Sequence, residues 1–328
     1  MKKSDTIKFA FITDTHIDNN YGNRVDDAQL SILSKISQSY KLAEKRGCQF
    51  MIHGGDVFNR VSINEKKNSI FNRLRKIIVT SKIPSYFILG QHDINYSFET
   101  YEKSSLKMLS ESCDGKFELL KEKKEINGCL FVPSHVYDDV QEVCSKIERF
   151  ETPVVAVAHC LLYDAKSMFN TISVAETSLE TENVDLVLSG DLHCGFKFQK
   201  HNKTYFYNPG SLLRKARDQK DRIPKVAIFT ISQFFGNWQI ELEEIELECL
   251  SGNACFTPEK EERKEVSKEL EVIEKNDITD FTKELSSVEV KSISIFDFLN
   301  ERANAENLDK KVLDRILSYQ DKIDLNNV

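Results

Sequence analysis

The stretch Gly90-Gln91-His92-Asp93 decides the fold, because it follows the apolar run at 85–89 and places an amide, an imidazole and a carboxylate where a strand stops. A glycine turn followed by polar side chains is typical of the carboxyl edge of an open α/β sheet, which is where such sheets bind their ligands. The stretch therefore predicts a sheet edge that carries chemistry.

Four other short apolar runs in this chain also end in polar side chains. The side chains at the five strand ends are, in chain order, Asp14 and His16, Asp56, Gln91 and His92, His159, and Asp191 and His193. Together these carboxylate, imidazole and amide groups suit a pair of hard divalent cations. Any one of them alone is more simply explained as a hydrogen-bonded core histidine or a helix N-cap. The joint pattern is harder to explain as packing, because burying acids and imidazoles together without a cation carries a large desolvation cost.

The first 93 residues predict a β-α-β-α-β order, which is the signature of a parallel sheet with crossover helices. Apolar residues near helical spacing place the two helices at 25–46 and 64–80. Further along, the strands at 117–120 and 129–132 are expected to form a hairpin over Asn127-Gly128. In the strand at 238–250, the alternation of apolar residues slips by one at Glu243-Glu244, which predicts a β-bulge.

Composition limits the class of protein. The chain has 328 residues, 40% of them hydrophobic and 30% charged, which is ordinary for a globular protein of one or two domains. The net charge of −7 argues against holding nucleic acid by bulk electrostatics alone. It does not exclude a phosphodiester substrate, because bound cations or a partner would supply positive charge. No apolar run approaches the ~18 residues of a membrane span, and eight cysteines without a C-x-x-C pair predict a reduced, cytoplasmic protein.

Five motifs carry a family resemblance. They are Asp14-x-His16, Gly54-Gly55-Asp56, Gly90-Gln91-His92-Asp93, His159, and Gly190-Asp191-Leu192-His193. In this order they resemble the pattern of the calcineurin-like metallophosphoesterase superfamily. Val57-Phe58 and the turn Asn208-Pro209-Gly210-Ser211 further resemble its DNA double-strand-break-repair nuclease branch, the SbcD and Mre-type nuclease subunits. The resemblance implies an α/β fold, a four-layer β-sandwich flanked by helices, with a small α+β capping region and a helical C-terminal tail.

The resemblance also implies a role for each residue. Asp14, His16 and His193 would hold the first of two metal ions, Asp56 would bridge both, and Gln91, His159 and Asp191 would complete the second. His92 would act as the catalytic acid at the leaving oxygen. The expected ions are Mn²⁺ or Mg²⁺. The basic residues Arg214, Lys215 and Arg217 after the turn are candidates for binding the substrate backbone, with a solvated loop as an equally good interpretation.

Two positions depart from the family pattern, and both fall on the second metal site. Gln91 stands where the family has Asn, and Asp191 stands where it has His. An anionic oxygen in place of a neutral nitrogen predicts a harder site that favours Mn²⁺ or Mg²⁺ over zinc. The competing hypothesis is a weakened or vacant second site and a poor enzyme.

The predicted domains are a nuclease core at 1–235, a small capping domain with a charged linker at 236–292, and a helical tail at 293–328. By resemblance, the protein would process DNA ends as the nuclease subunit of an SMC-like ATPase complex in a bacterium or a virus of bacteria. The tail would bind the ATPase, and the first two helices would form a homodimer. The rival hypotheses are a phosphatase or small-molecule phosphodiesterase on the same core, and a catalytically weakened partner-binding module.

Overall fold

The structure is a computed structural model that describes residues 6–18, 21–22, 24–63, 69–95, 97–164, 172–235 and 237–256. These residues belong to one compact unit, Met1–Thr257. The tail expected at 293–328 lies outside the described residues, as does most of the expected capping domain. The described beginning of that domain, 237–256, contains a long strand of the core sheet.

The strands follow in chain order. They are β1 (Thr6–Ile12), β2 (Phe50–His53), β3 (Ser85–Phe87), β4 (Phe117–Leu119), β5 (Lys124–Ile126), β6 (Cys129–Ser134), β7 (Val154–Ala158), β8 (Leu162–Tyr163), β9 (Ile172–Ser173), β10 (Leu186–Ser189), β11 (Phe196–His201), β12 (Thr204–Asn208), β13 (Lys225–Phe234) and β14 (Asn237–Glu246). The α-helices are α1 (Ala28–Lys45), α2 (Ser69–Thr80), α3 (Ser105–Ser112), α4 (Val140–Ser145), α5 (Val174–Thr177) and α6 (Gly252–Cys255). Short 3₁₀ helices span Phe98–Lys103 and Arg217–Gln219.

Two six-stranded sheets form the middle of the molecule. The first has the order β14-β13-β1-β2-β3-β4, with β1 to β4 parallel, so the predicted β-α-β-α-β order is confirmed. The second has the order β11-β12-β10-β7-β6-β5, in which β12, β10, β7 and β6 are parallel. Parallel strands send their carboxyl ends to one edge, so each sheet presents several strand ends together.

Three apolar clusters separate four layers. One cluster lies between the two sheets and includes stacked rings such as Phe9 and Phe50, whose centroids are 5.4 Å apart. A second packs α1, α2 and α3 on the outer face of the first sheet. A third packs α4 and α5 on the outer face of the second sheet. The predicted four-layer α/β sandwich is therefore confirmed.

The helix predicted at 25–46 begins slightly later, at Ala28, because Asp27 caps it: its carboxylate accepts the backbone N–H of Leu30 at 2.9 Å. Gly47, with φ of +73°, ends it. Of the predicted second helix, residues 69–80 are helical and 64–68 lie outside the described residues. Among the described residues, no helix has the length and apolar character that crossing a membrane requires.

Two local predictions were wrong. The Asn127-Gly128 hairpin joins β5 to β6, whereas the strand at 117–119 pairs with β3 in the other sheet. The edge strand β5 was missed because Lys124 and Glu125 are exposed and give no apolar signal.

The bulge predicted at Glu243-Glu244 is also absent from β14, whose pairing with β13 is uninterrupted. Glu244 stands on the same side as Ile240 and Leu242 and accepts the Tyr207 hydroxyl at 2.7 Å, whereas Ile245 packs on the helical side of the sheet. The change in the apolar alternation therefore does not mark a bulge. It marks the point where the apolar side chains of β14 stop packing between the two sheets and start packing against the helices.

Candidate metal centre

The five predicted strand ends meet at one place. Asp14 and His16 follow β1, Asp56 follows β2, Gln91 and His92 follow β3, His159 follows β7, and Asp191 and His193 follow β10. The first three strands belong to the first sheet and the last two to the second. The site therefore lies across the carboxyl edges of both sheets.

One group of donors is formed by Asp14, His16 and His193, whose ligand atoms lie within 4.8 Å of one another. The Nε2 atoms of the two histidines are 2.8 Å apart. The Oδ1 atom of Asp14 is 3.6 Å from each of these nitrogens. This is the set predicted for the first metal.

A second group is formed by Asp14, Asp56 and His159, and a third by His16, Asp56 and His92. Oδ2 of Asp56 lies 3.5 Å from His159 Nε2 and 3.7 Å from His16 Nε2. Asp56 thus stands between the imidazoles of the two predicted sites, which is the position that a bridging ligand requires.

Gln91 and Asp191, the two departures from the family pattern, contact each other. The Gln91 side-chain nitrogen donates to Oδ1 of Asp191 at 2.7 Å, and its oxygen lies 2.7 Å from Nε2 of His159. Among the described residues, Asp191 belongs to none of the three donor groups. The side chains predicted for the second metal are therefore adjacent but hydrogen-bonded to one another.

Hydrogen bonds fix which oxygen of each carboxylate faces the centre. Oδ2 of Asp14 accepts the Thr13 hydroxyl at 2.7 Å and the backbone N–H of Asp191 at 3.1 Å. Oδ1 of Asp56 accepts the backbone N–H of His92 at 2.9 Å. The other oxygens, Asp14 Oδ1 and Asp56 Oδ2, are buried and accept no hydrogen bond from any described residue. Each carboxylate therefore keeps one oxygen free for a ligand.

The backbone beneath the donors is unusual. Asp14, His16, Asp56 and Asp191 have φ between +43° and +68°. This left-handed region is costly for residues with a Cβ and is concentrated at functional sites. Gly90 has no Cβ for a different reason, since any Cβ there would overlap the Asp56 carboxylate. The turn of the opening motif thus lies directly against the bridging carboxylate.

The pKa values of the buried carboxyls are set by competing causes. Burial raises the pKa of Asp14, but its contacts with His16 and His193 outweigh burial and hold that pKa well below its usual range. Burial likewise raises the pKa of Asp56, and the nearby His159 and His16 reverse this and lower it. Both residues are therefore ionised at neutral pH.

The histidines respond in opposite directions. Burial lowers the pKa of His159, but the carboxylates of Asp56, Asp14 and Asp191 outweigh it and raise that pKa to about 10. Burial dominates at His16 and lowers its pKa. The raised pKa of His159 means that the carboxylates of Asp56, Asp14 and Asp191 together favour a positive charge at its position.

These donors fit divalent cations. Within the described part of the chain, two buried carboxylate oxygens have no hydrogen-bond partner and imidazole nitrogens lie close to them. The carboxylates also favour a positive charge at His159. A carboxylate–imidazole metal site presents the same features. Asp14, His16 and His193 would hold one ion. Asp56 and His159 would hold a second ion, which Gln91 and Asp191 could join once the hydrogen bond between their side chains is broken.

His92 is oriented by the backbone of a neighbouring loop. Its Nδ1 lies 2.9 Å from the carbonyl oxygen of Asn59, which accepts from it, so Nε2 is the nitrogen left for a substrate. Its ring stands edge-on to that of His16, with centroids 5.0 Å apart. Asp93 ties the same two loops together by accepting the N–H groups of Gly90 and Phe58 at 3.0 and 3.2 Å.

The three predicted basic residues have different surroundings. Arg214 is buried, and its guanidinium donates to the carbonyls of Lys220 and Leu250, so it holds the chain together and does not face a substrate. Lys215 is half-buried within Coulombic reach of Asp56, Asp14 and Asp18. Arg217 is half-buried in the following 3₁₀ helix.

Sequence reasoning missed Arg60 and its partner Asp18. The Asp18 carboxylate is buried and accepts from Arg60 at 2.6 Å and from Asn59 at 2.8 Å. Asp18 comes two residues after the motif Asp14-x-His16, and Arg60 comes four residues after Gly54-Gly55-Asp56. Two opposite charges shortly after motifs predicted to meet at one site were the available signal.

Fold and site together define a class, namely a two-sheet α/β protein with a carboxylate–imidazole centre for divalent metals. Residues 7–195 match the model of the calcineurin-like phosphoesterase family. Because this match covers more than half of the chain, the protein belongs to the calcineurin-like phosphoesterase family. No curated protein sequence matches the chain significantly.

Solved structures with a similar fold include a dimetal phosphatase from Danio rerio, at 9% identity and a TM-score of 0.45, covering 73% of this chain and 98% of that one. A predicted phosphoesterase from Streptococcus pneumoniae has 9% identity and a TM-score of 0.33, covering 74% and 98%. Vps29 from Entamoeba histolytica, complexed with zinc, has 11% identity and a TM-score of 0.31, covering 73% and 99%. These scores are too low to transfer an activity.

Proposed function

We propose that the protein is a metal-dependent phosphodiesterase that cleaves DNA. The observation that carries this proposal is the convergence of Asp14 Oδ1, Asp56 Oδ2 and the imidazoles of His16, His159 and His193 beside His92. A phosphodiester needs its negative charge neutralised, an attacking water and a proton for the leaving oxygen. The donor cluster and His92 suit these three needs.

Bound cations would supply Lewis acidity to the phosphate and lower the pKa of a water toward neutrality. The chain does the rest. The Asn59 carbonyl fixes the ring of His92, leaving Nε2 to hold a proton for the leaving oxygen. The hydrogen bonds of Thr13 and of the His92 backbone aim one oxygen of each carboxylate at the centre.

The DNA substrate, the SMC-like ATPase partner and the homodimer remain part of this proposal. They are supported by the resemblance of Val57-Phe58 and of the turn Asn208-Pro209-Gly210-Ser211 to the DNA-repair nuclease branch. The DNA substrate is also supported by two cations beside an otherwise acidic site, Arg60 and Lys215. Manganese is the proposed ion because the donor set contains carboxylate oxygens and imidazoles without cysteine.

The test is Mn²⁺-dependent digestion of labelled linear DNA by the wild type and by His92→Ala. We expect the variant to lose at least about 10²-fold in kcat, because general acid catalysis contributes about 10²–10⁴-fold, while Mn²⁺ binding by calorimetry stays unchanged. A wild type that hydrolyses small phosphomonoesters but neither cleaves nor binds DNA would replace the proposal with a phosphatase.

A second candidate function is a weakened, partner-binding module. It is favoured by the hydrogen bond between Gln91 and Asp191, which occupies two donors of the second site. Metal counting by anomalous scattering over a Mn²⁺ series separates the two candidates. Two ions with turnover support the phosphodiesterase, and one tightly held ion without turnover at any concentration supports the module.

A further inference from the structure

Arg60 is an exposed cation braced by a buried anion at the rim of the metal centre. Its side chain is 57% exposed, whereas that of Asp18 is 2% exposed. Nε and Nη2 of Arg60 both donate to Oδ2 of Asp18, at 3.0 and 2.6 Å. Nη1 makes no hydrogen bond to any described residue. Asp18 therefore holds one edge of the guanidinium, and the side chain as a whole remains accessible.

The same carboxylate links Arg60 to the proposed catalytic acid. Oδ2 of Asp18 accepts the side-chain amide of Asn59 at 2.8 Å, and the Asn59 carbonyl holds Nδ1 of His92 at 2.9 Å. Arg60 and His92 are thus fixed by one dipeptide and one buried carboxylate. Arg60 is therefore the chain neighbour of the residue that orients the proposed catalytic acid.

Bracing of this kind suits recognition of an anion. The ion pair is accessible on its Arg60 side and buried on its Asp18 side. A guanidinium with one edge fixed loses less freedom when its remaining donors bind an oxyanion. Lys215 is a second cation near Asp18, so the rim beside Asp18 carries positive charge next to the acidic metal centre.

We propose that Arg60 binds a phosphate carried by the leaving group of the substrate. This inference rests on the proposed function and gives it a substrate class, a strand of consecutive phosphodiesters. His92 would donate its proton to the leaving oxygen, and Arg60 would hold the next phosphate of the departing strand. Substrates whose leaving group lacks a phosphate would not use Arg60.

The test compares Arg60→Met with Arg149→Met as a matched control. The control side chain is 54% exposed and pairs with Asp185 at 3.3 Å, and it lies just before β7, at the opposite end of that strand from the metal centre. Mn²⁺-dependent kinetics are measured on a single-stranded oligonucleotide and on bis(p-nitrophenyl) phosphate, whose leaving group has no phosphate. We expect Arg60→Met to raise KM for the oligonucleotide about tenfold or more, as for lost hydrogen bonds to a charged group, and to leave kcat and the small diester unchanged.

Arg60→Lys keeps the charge but not the fork, and we expect it to recover part of the lost affinity. Equal losses on both substrates, or no change relative to Arg149→Met on either, would overturn the inference.

Binding gives a readout that does not depend on turnover. Fluorescence anisotropy of the oligonucleotide is measured with Mn²⁺ in the His92→Ala background, with and without Arg60→Met. We expect weaker binding and a salt dependence reduced by about one charge. If Arg60→Met leaves the affinity for the oligonucleotide unchanged, the role of Arg60 is refuted and the proposed function is not. If no variant binds DNA, the proposed function itself is refuted.

Discussion

At the scale of single residues, the candidate site depends on a hydroxyl and on backbone N–H groups that orient its carboxylates without binding a metal themselves. The free oxygen of Asp14 exists because Thr13 and the Asp191 amide occupy the other one. The free oxygen of Asp56 exists because the His92 amide does the same. The ligand set is therefore positioned by its hydrogen-bonding neighbours, as is general for metal sites.

Thr13→Val tests this dependence. Valine has nearly the same shape as threonine but cannot donate to Asp14, so the carboxylate loses one of the two bonds that orient it. We expect Mn²⁺ affinity, measured by calorimetry, to fall about 10–100-fold. The same change at Thr230 in β13 is the control and should leave affinity unaltered. Equal affinities for the Thr13 and Thr230 variants would show that Thr13 does not orient the ligand.

The convergence of the candidate ligands could be predicted from the sequence because each one lies two to five residues after a short apolar run. The contact between Gln91 and Asp191 could not, since it joins side chains 100 residues apart and depends on how the two sheets pack. The burial of Arg214 could not be predicted from the sequence either. A run of basic residues does not reveal which of them turns inward to bind backbone carbonyls.

At the scale of elements, helix α1 contains a buried cation. Lys35 is fully buried and donates to the Ser31 hydroxyl at 2.8 Å. Burial lowers its pKa to about 8, helped by the nearby Arg24 and Arg214. The sequence predicted this helix to within three residues at each end. It could not predict a buried lysine, because the apolar stripe alone does not assign position 35 to the core or to solvent.

Lys35→Met should stabilise the protein at neutral pH. The unfolded lysine keeps its proton up to about pH 10.5, and the folded one releases it above about pH 8. The unfolded state therefore binds more protons between these values, so wild-type stability rises with pH there and the cost of burying the charge is complete below pH 8. We expect the free energy of unfolding at pH 7 to rise by about 2–3 kcal/mol.

Urea unfolding at several pH values measures this difference between variant and wild type. The gain should shrink between about pH 8 and pH 10.5 and disappear above that range, where neither state carries the proton. Lys41→Met, at an exposed position of the same helix, is the control and should change stability little at any pH. A gain that is independent of pH would mean that side-chain packing, and not charge, explains it.

At the scale of the whole molecule, we propose that one region of the chain cleaves the substrate and another region binds the ATPase. All the residues of the candidate site lie within residues 14–217, whereas the tail proposed to bind an ATPase begins at 293. Deleting 294–328 should abolish co-purification with the SMC-like ATPase and change Mn²⁺-dependent cleavage of a model phosphodiester less than about twofold. Lost cleavage with retained ATPase binding would contradict this arrangement.

The central strands of the fold could be predicted from the sequence, whereas the edge strands of the sheets could not. The alternation of apolar runs with helical stripes predicted the parallel strands β1 to β3, because those strands are buried on both faces and read as continuous apolar runs. Edge strands such as β5 are half solvated, and their polar residues conceal them. Which strands join which sheet depends on long-range packing and has no local pattern.

The position of the donors has a mechanical consequence. Asp14, His16 and Asp56 follow strands of one sheet and His159 and His193 follow strands of the other, so the candidate ligands come from both sides of the apolar layer between the sheets. Metal ions bound by residues from both sheets would cross-link the two sheets. Loss of the ions would then loosen the alignment of one sheet with the other, and misalignment of the sheets would weaken metal binding.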